Sequence, residues 1–190
     1  MLGLPWRVAP ANVDEEAYLL SEPAASAVNL AVAKAHAVSG ELDEVVIAAD
    51  TLVVIDRDML AKPAASDDAR AMLDRLRGRQ HQVLTGVALQ SADLEWAGVV
   101  STQVLMRAYS DAEMEAYLAR GEPFDKAGGY AVQDSSFRPV ERLSGCYLNV
   151  VGLPVCAVAA GLNALGAEVL SAGRPPCTYC ERGAKLVRSG

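Results

Sequence analysis

Two periodicities run along this chain, and the places where one gives way to the other mark its elements. The longest continuous apolar run is Val45-Val46-Ile47-Ala48-Ala49-Asp50-Thr51-Leu52-Val53-Val54-Ile55, interrupted by a single acid. Val and Ile dominate it, which predicts a strand buried on both faces. Upstream, Val28, Ala31, Val32, Ala35 and Val38 recur at helical spacing after Ser21-Glu22-Pro23. That pattern predicts a helix with proline in its first turn and a stop at Gly40. Lys34 falls off the apolar stripe, where a lone lysine is ordinarily solvated surface. Ala69, Met72, Leu73 and Leu76 predict a second helix, capped by Ser66, with Asp67 and Asp68 in its first turn and Gly78 at its end. Gln82 to Leu89 and Val99 to Met106 read as strands, with Trp96 in their connection. Ser110-Asp111-Ala112-Glu113 is a capping box, opening a helix that buries Met114, Tyr117 and Leu118 and stops at Gly121. Cys146 to Val151 reads as a final strand, and Gly152-Leu153-Pro154 turns into a last helix through Leu165. At the front, Leu2-Gly3-Leu4-Pro5 is a helix-stop pattern followed by a strand-like stretch to Val8, and Val13-Asp14-Glu15-Glu16 reads as an acidic loop.

Alternating strands and helices predict an α/β or α+β protein built on a sheet. The chain has 190 residues, 52% of them apolar, enough for one domain with a sizeable core. That domain is expected over residues 1–167. The remainder, 168–190, is rich in Gly, Pro and charge and reads as a mobile tail. A net charge of -7 excludes a nucleic-acid polymer as partner, because such a partner demands a basic footprint. It leaves room for a mononucleotide held by local lysines. No apolar stretch reaches the roughly 18 residues of a membrane span, and the first residues lack the pattern of a signal peptide, so a cytoplasmic location is expected. The 4 cysteines are sparse for a disulfide scaffold. Cys177 and Cys180 form a Cys-x-x-Cys, which suits a zinc site or a redox pair, but His36 and His81 are far away in sequence. Cys146 and Cys156 sit in core-like segments.

Asp50 is the first candidate for chemistry. A carboxylate inside an apolar strand is costly unless a metal, a cation or a proton compensates it. On its own it reads equally well as a strand-end or turn acid. Its neighbours Thr51 and Lys62-Pro63 bring in a family. In order along the chain stand Ala33-Lys34-Ala35, Ala49-Asp50-Thr51, Lys62-Pro63, Leu76-Arg77-Gly78-Arg79 with His81, and Thr85-Gly86-Val87. Asp125-Lys126-Ala127-Gly128-Gly129-Tyr130 through Gln133 and Asn149-Val150-Val151-Gly152-Leu153-Pro154 follow. This ordered set resembles the Maf-type nucleoside triphosphate pyrophosphatases.

The resemblance implies an elongated mixed sheet flanked by helices with a central substrate cleft. It implies hydrolysis of a nucleoside triphosphate to monophosphate and diphosphate with a divalent metal, Mg²⁺ or Mn²⁺, and often a homodimer. It makes Asp50 the base, and Lys34, Lys62 and Lys126 the cations that neutralise phosphate oxygens. Glu15 and Asp50 would supply the hard oxygen ligands such a metal takes. The Gly-Gly-Tyr-Ala-Val-Gln form of residues 128–133 resembles the subgroup acting on dTTP and UTP, with Gln133 and Thr51 as specificity positions. The departure is at the front. Members of the family begin with a strand and a Ser-x-x-Arg-Arg phosphate loop, and this sequence contains no Ser-x-x-Arg-Arg. The expectation is therefore of a shortened front end and impaired turnover, with a non-catalytic nucleotide-binding or division-regulating protein as the alternative.

Overall fold

Helix α1 (Pro23–His36) is followed by β1 (Val46–Ile55), β2 (Asp58–Leu60), α2 (Ser66–Leu76), β3 (Gln80–Gln90) and β4 (Leu94–Met106). Then come α3 (Asp111–Leu118), β5 (Val140–Ser144), α4 (Tyr147–Val151), α5 (Val155–Ala164) and β6 (Lys185–Arg188). The computed structural model describes residues 4–38, 40, 43–167 and the backbone of 185–188. The strand order is β2-β1-β3-β4-β5, with β6 also against β4. The class is the expected mixture of helices and sheet, and every pairing among the described strands is antiparallel. Cys177 and Cys180 lie outside the described residues, as does most of the segment read as a tail.

Consecutive side chains of a strand point to opposite faces. On one face lies α1, whose Ala27, Ala31 and Ala35 pack against Leu84, Val54 and Ala88. Gly86 makes this contact possible. A Cβ there would stand 1.9 Å from the Ala27 carbonyl oxygen. The other face carries two clusters. Leu89, Trp96 and Val100 meet Ala157, Val158 and Leu162 of α5. Val53, Ile55, Val83 and Val104 meet Leu73 and Leu76 of α2 and Met114, Tyr117 and Leu118 of α3.

Strand β2 pairs with β1 only over Val53–Ile55, whereas β3 pairs with β1 from Val46 to Val54. Among the described residues, the outer edge of β1 from Val46 to Leu52 is therefore unpaired. That edge changes the expectation of a strand buried on both faces. Ile47 is 41% exposed, while Val53, Val54, Ile55 and Asp50 are buried.

Several local expectations are corrected. Residues 146–151 are not a strand. Tyr147–Val151 form α4, because Asn149 turns fully inward and its amide donates to Val83 O (3.0 Å) and Thr102 Oγ1 (2.9 Å). Those two partners on other strands override the β-propensity of Val150 and Val151. Gly152, at φ 116°, closes the helix. Trp96 lies inside β4, since Ser91 bonds the Leu94 backbone and tightens the connection to three residues, 91–93. Ser66 is the first residue of α2, not its cap. Helix α1 ends at His36, short of Gly40, and buries Ala27, Leu30, Ala31 and Ala35 in place of Val28 and Val38. Residues 4–8 form no strand and leave Trp6 and Val8 exposed, and Glu15–Tyr18 make a 3₁₀ turn. The capping box stands as expected, with Ser110 and Glu113 bonding each other's backbone.

Candidate active site

The close approach of α1 at Gly86 brings Lys34 over Asp50, which pairs with Gly86 across β1 and β3. Lys34 Nζ stands 2.5 Å from Asp50 Oδ1 and 2.7 Å from Glu15 Oε1. Asp50 is 9% exposed, so the ammonium supplies the compensation that a carboxylate in an apolar strand requires. Lys34 is thus no solvated surface lysine. Burial pulls its pKa down, but the hydrogen bonds to Asp50 and Glu15 outweigh burial and raise it. The bond from Lys34 holds the Glu15 carboxyl below the usual range; burial opposes this, and the charges of Lys34 and Lys62 lower it further. Glu15 comes from the 3₁₀ turn that precedes α1, and Asn29 of α1 ties that turn down by donating to Tyr18 O (2.9 Å).

Thr51, the next residue, points to the opposite face. Its Oγ1 lies 2.9 Å from Thr85 Oγ1, and Thr85 donates to Asn149 O at 2.9 Å. On that side runs the turn at Ala127–Gly129. Gly128, at φ 71°, donates to Ala61 O (3.1 Å), and a Cβ there would press on Val53 at 3.0 Å. The turn is therefore fixed beside Lys62-Pro63. Lys62 is exposed and acts by charge on both Glu15 and Asp125. Lys126 is turned toward its own loop, donating to Asp125 Oδ1 (2.5 Å) and Glu122 O (2.7 Å). The Lys126 hydrogen bond, working against burial, keeps the Asp125 carboxyl low. Gln133 is exposed, three residues past Tyr130.

Glu15, Lys34 and Asp50 are thus in direct contact, and Lys62 is within electrostatic reach of them. No side-chain contact joins Thr51, Lys126 or Gln133 to that group among the described residues. Asp50 and Thr51 thus face opposite sides of β1 at its free edge, and on the Thr51 side Gly128 of the turn that follows Lys126 packs against Val53.

The positioning groups were not evident in the sequence. Thr85 and Asn149 anchor Thr51. His81 Nε2 lies 2.7 Å from Tyr130 Oη and holds the loop that carries Gln133. The visible signal was Asn149, an amide within an apolar run, and Thr85-Gly86, a polar pair inside a strand.

A hard divalent cation is compatible with this arrangement. Glu15 and Asp50 converge on the Lys34 ammonium, which occupies the kind of position a cation favours, and both offer carboxylate oxygens. Among the described residues no group of three or more His, Cys, Asp or Glu is arranged to hold a metal. Two carboxylates suffice for a cation that keeps waters and takes its other ligands from phosphates.

An antiparallel sheet flanked by helices, with Glu15, Lys34 and Asp50 in contact at an open strand edge, defines the class as a mixed α/β protein. The Maf family, described as Maf-like protein, matches residues 1–165, and the chain belongs to that family. It is 49% identical over 159 residues to the dTTP/UTP pyrophosphatase of Thermomicrobium roseum, a match covering 82% of this chain and 72% of that protein. With the dTTP/UTP pyrophosphatase of Symbiobacterium thermophilum it shares 41% identity over 173 residues, 90% of this chain and 89% of the relative. The relative of that name from Citrifermentans bemidjiense is 40% identical over 169 residues, 87% of each chain. No helix among the described residues is long and apolar enough to cross a membrane.

Proposed function

We propose that this protein is a nucleoside triphosphate pyrophosphatase that hydrolyses dTTP and UTP to the monophosphate and diphosphate. The names of its relatives support the substrate class, and the observation that carries the chemistry is the Lys34 ammonium shared by Asp50 and Glu15 at the open edge of β1. Asp50, whose carboxylate lies 2.5 Å from the Lys34 ammonium, takes the proton of the attacking water. Lys34, Lys62 and Lys126 neutralise charge that develops on the leaving diphosphate. Lys34 and Lys126 exchange their present carboxylate partners for phosphate oxygens when the substrate enters. Glu15 and Asp50 would hold a divalent cation, which would supply further neutralisation of the phosphates. Thr51, on the other side of the strand, and Gln133 read the base. The reading takes residues 1–167 as the catalytic domain, supported by the family match over 1–165, and extends to a homodimer, which sedimentation would read directly.

The test is diphosphate release from dTTP, UTP, CTP and GTP with Mg²⁺. The expected outcome is preference for dTTP and UTP. Gln133→Ala should narrow the gap between UTP and GTP in kcat/KM by about tenfold or more, because a site built to hydrogen-bond one base edge leaves groups unpaired with another. A parent protein that prefers GTP, or a Gln133→Ala variant with an unchanged ratio, contradicts this assignment.

A further inference from the structure

The hydroxyl of Thr51 has its proton direction fixed from inside the protein. A threonine hydroxyl carries one proton and two acceptor lone pairs. Thr85 Oγ1 lies 2.9 Å from Asn149 O, a carbonyl that can only accept, so the single Thr85 proton is committed there. The same carbonyl also receives the Gly152 N–H at 3.1 Å, and the Asn149 side chain is anchored to Val83 O and Thr102 Oγ1. Nothing in this arrangement can turn round. The 2.9 Å contact between Thr51 Oγ1 and Thr85 Oγ1 is then a hydrogen bond only if Thr51 donates.

We infer that Thr85 is a positioning residue that commits the Thr51 proton inward and makes Thr51 an acceptor toward the base, selecting the imide N–H of uracil or thymine. The inference rests on the nucleotide reading above and deepens it. Thr51 is half-buried at the unpaired edge of β1, next to Asp50 but on the opposite face. The absence of a side chain at Gly152 leaves the spot beside it open, since an added Cβ would sit in van der Waals contact with Thr51 Oγ1 at 3.6 Å. Uracil and thymine present acceptor, donor, acceptor along their pairing edge, with the N3–H in the middle. Cytosine, of the same size, presents a bare acceptor nitrogen at that middle position. An acceptor-only hydroxyl pairs with the first and opposes two lone pairs in the second, so it discriminates where shape cannot.

Calorimetric binding of UTP and CTP with Mg²⁺, using the whole chain, tests this without requiring turnover. The unmodified protein should bind UTP about tenfold or more tightly than CTP. Thr85→Val keeps the shape and frees the Thr51 proton to turn outward. UTP should then weaken while CTP gains, bringing the two within about threefold. Thr85→Ser should restore the original ratio. A loss of equal size for both nucleotides, or an unchanged ratio in Thr85→Val, overturns the inference, because a merely structural role does not favour CTP. If Thr85→Val fails to fold, Thr51→Val serves in its place: it removes the acceptor without touching the buried threonine and should abolish the preference, and a preference that persists overturns the inference. Diphosphate release from the same samples separates the two claims. A binding ratio as expected with no diphosphate from UTP sinks the enzymatic reading and leaves the acceptor assignment standing. Turnover of UTP with equal binding of UTP and CTP does the reverse.

Discussion

Burial strips His81 of its charge and so makes a single side chain report on the acid stability of the fold. It is 3% exposed, and desolvation pulls its pKa down from 6.5 to about 4. The neutral ring meets Tyr130 edge-on, with centroids 5.4 Å apart, and Nδ1 finds no partner. Above pH 6.5 the ring is neutral folded and unfolded, and pH has no effect through it. As pH falls from 6.5 toward 4, the unfolded chain takes up a proton that the folded chain refuses, so stability falls. The full loss from this group is roughly 3 kcal/mol. His81→Gln should flatten the decline in the urea midpoint between these pH values relative to the parent. Parallel pH profiles for the two proteins would show that His81 titrates normally. Other residues had a second meaning that sequence could not decide. Lys34 lies off its helix's apolar stripe and reads as surface until the partner strand is in place. The hydroxyl of Thr51 has a direction only once Thr85 and Asn149, distant in sequence, are beside it.

At the scale of elements, local signals were readable and long-range ones were not. The capping box at Ser110 needs only residues within one turn, and it is formed as written. The break between α4 and a strand is different, because the Asn149 amide bonds Val83 and Thr102, both more than forty residues away. The placement of α1 likewise depends on Gly86, a residue of another element. Small side chains on both surfaces bring the helix axis close to β3, and only that closeness lets Lys34 reach Asp50. In Gly86→Ala the added Cβ meets the Ala27 carbonyl at 1.9 Å, and the helix must retreat. The expected loss is about 1–3 kcal/mol of stability, as for overpacking in general. Diphosphate release should fall with it, even at temperatures where the variant is fully folded, because Lys34 leaves Asp50. Thermal melting and activity measured together check this, and a folded Gly86→Ala protein with parental activity contradicts the role given to the helix.

Over the whole molecule, the fold brings Glu15 of the 3₁₀ turn, Lys34 of α1 and Asp50 of β1 into contact, with Lys62 within electrostatic reach, and the proposed site adds the turn between Lys126 and Gln133. Their order along the sequence was readable from motifs. Their division between two faces of one strand was not, since it follows from Asp50 and Thr51 being adjacent on an edge that β2 leaves open. A net charge of -7 does not oppose the proposed anion, because Lys34 and Lys62 stand close together beside Glu15 at that edge. The central claim is that Asp50, paired with Lys34 in the free protein, activates water for cleavage of a nucleoside triphosphate. Asp50→Asn preserves the shape and the hydrogen bond from Lys34 while removing the base. Steady-state diphosphate release from dTTP with Mg²⁺ should drop on the order of 10²- to 10⁴-fold in kcat, with the circular dichroism spectrum unchanged. A folded Asp50→Asn protein that releases diphosphate at the parental rate would contradict the account.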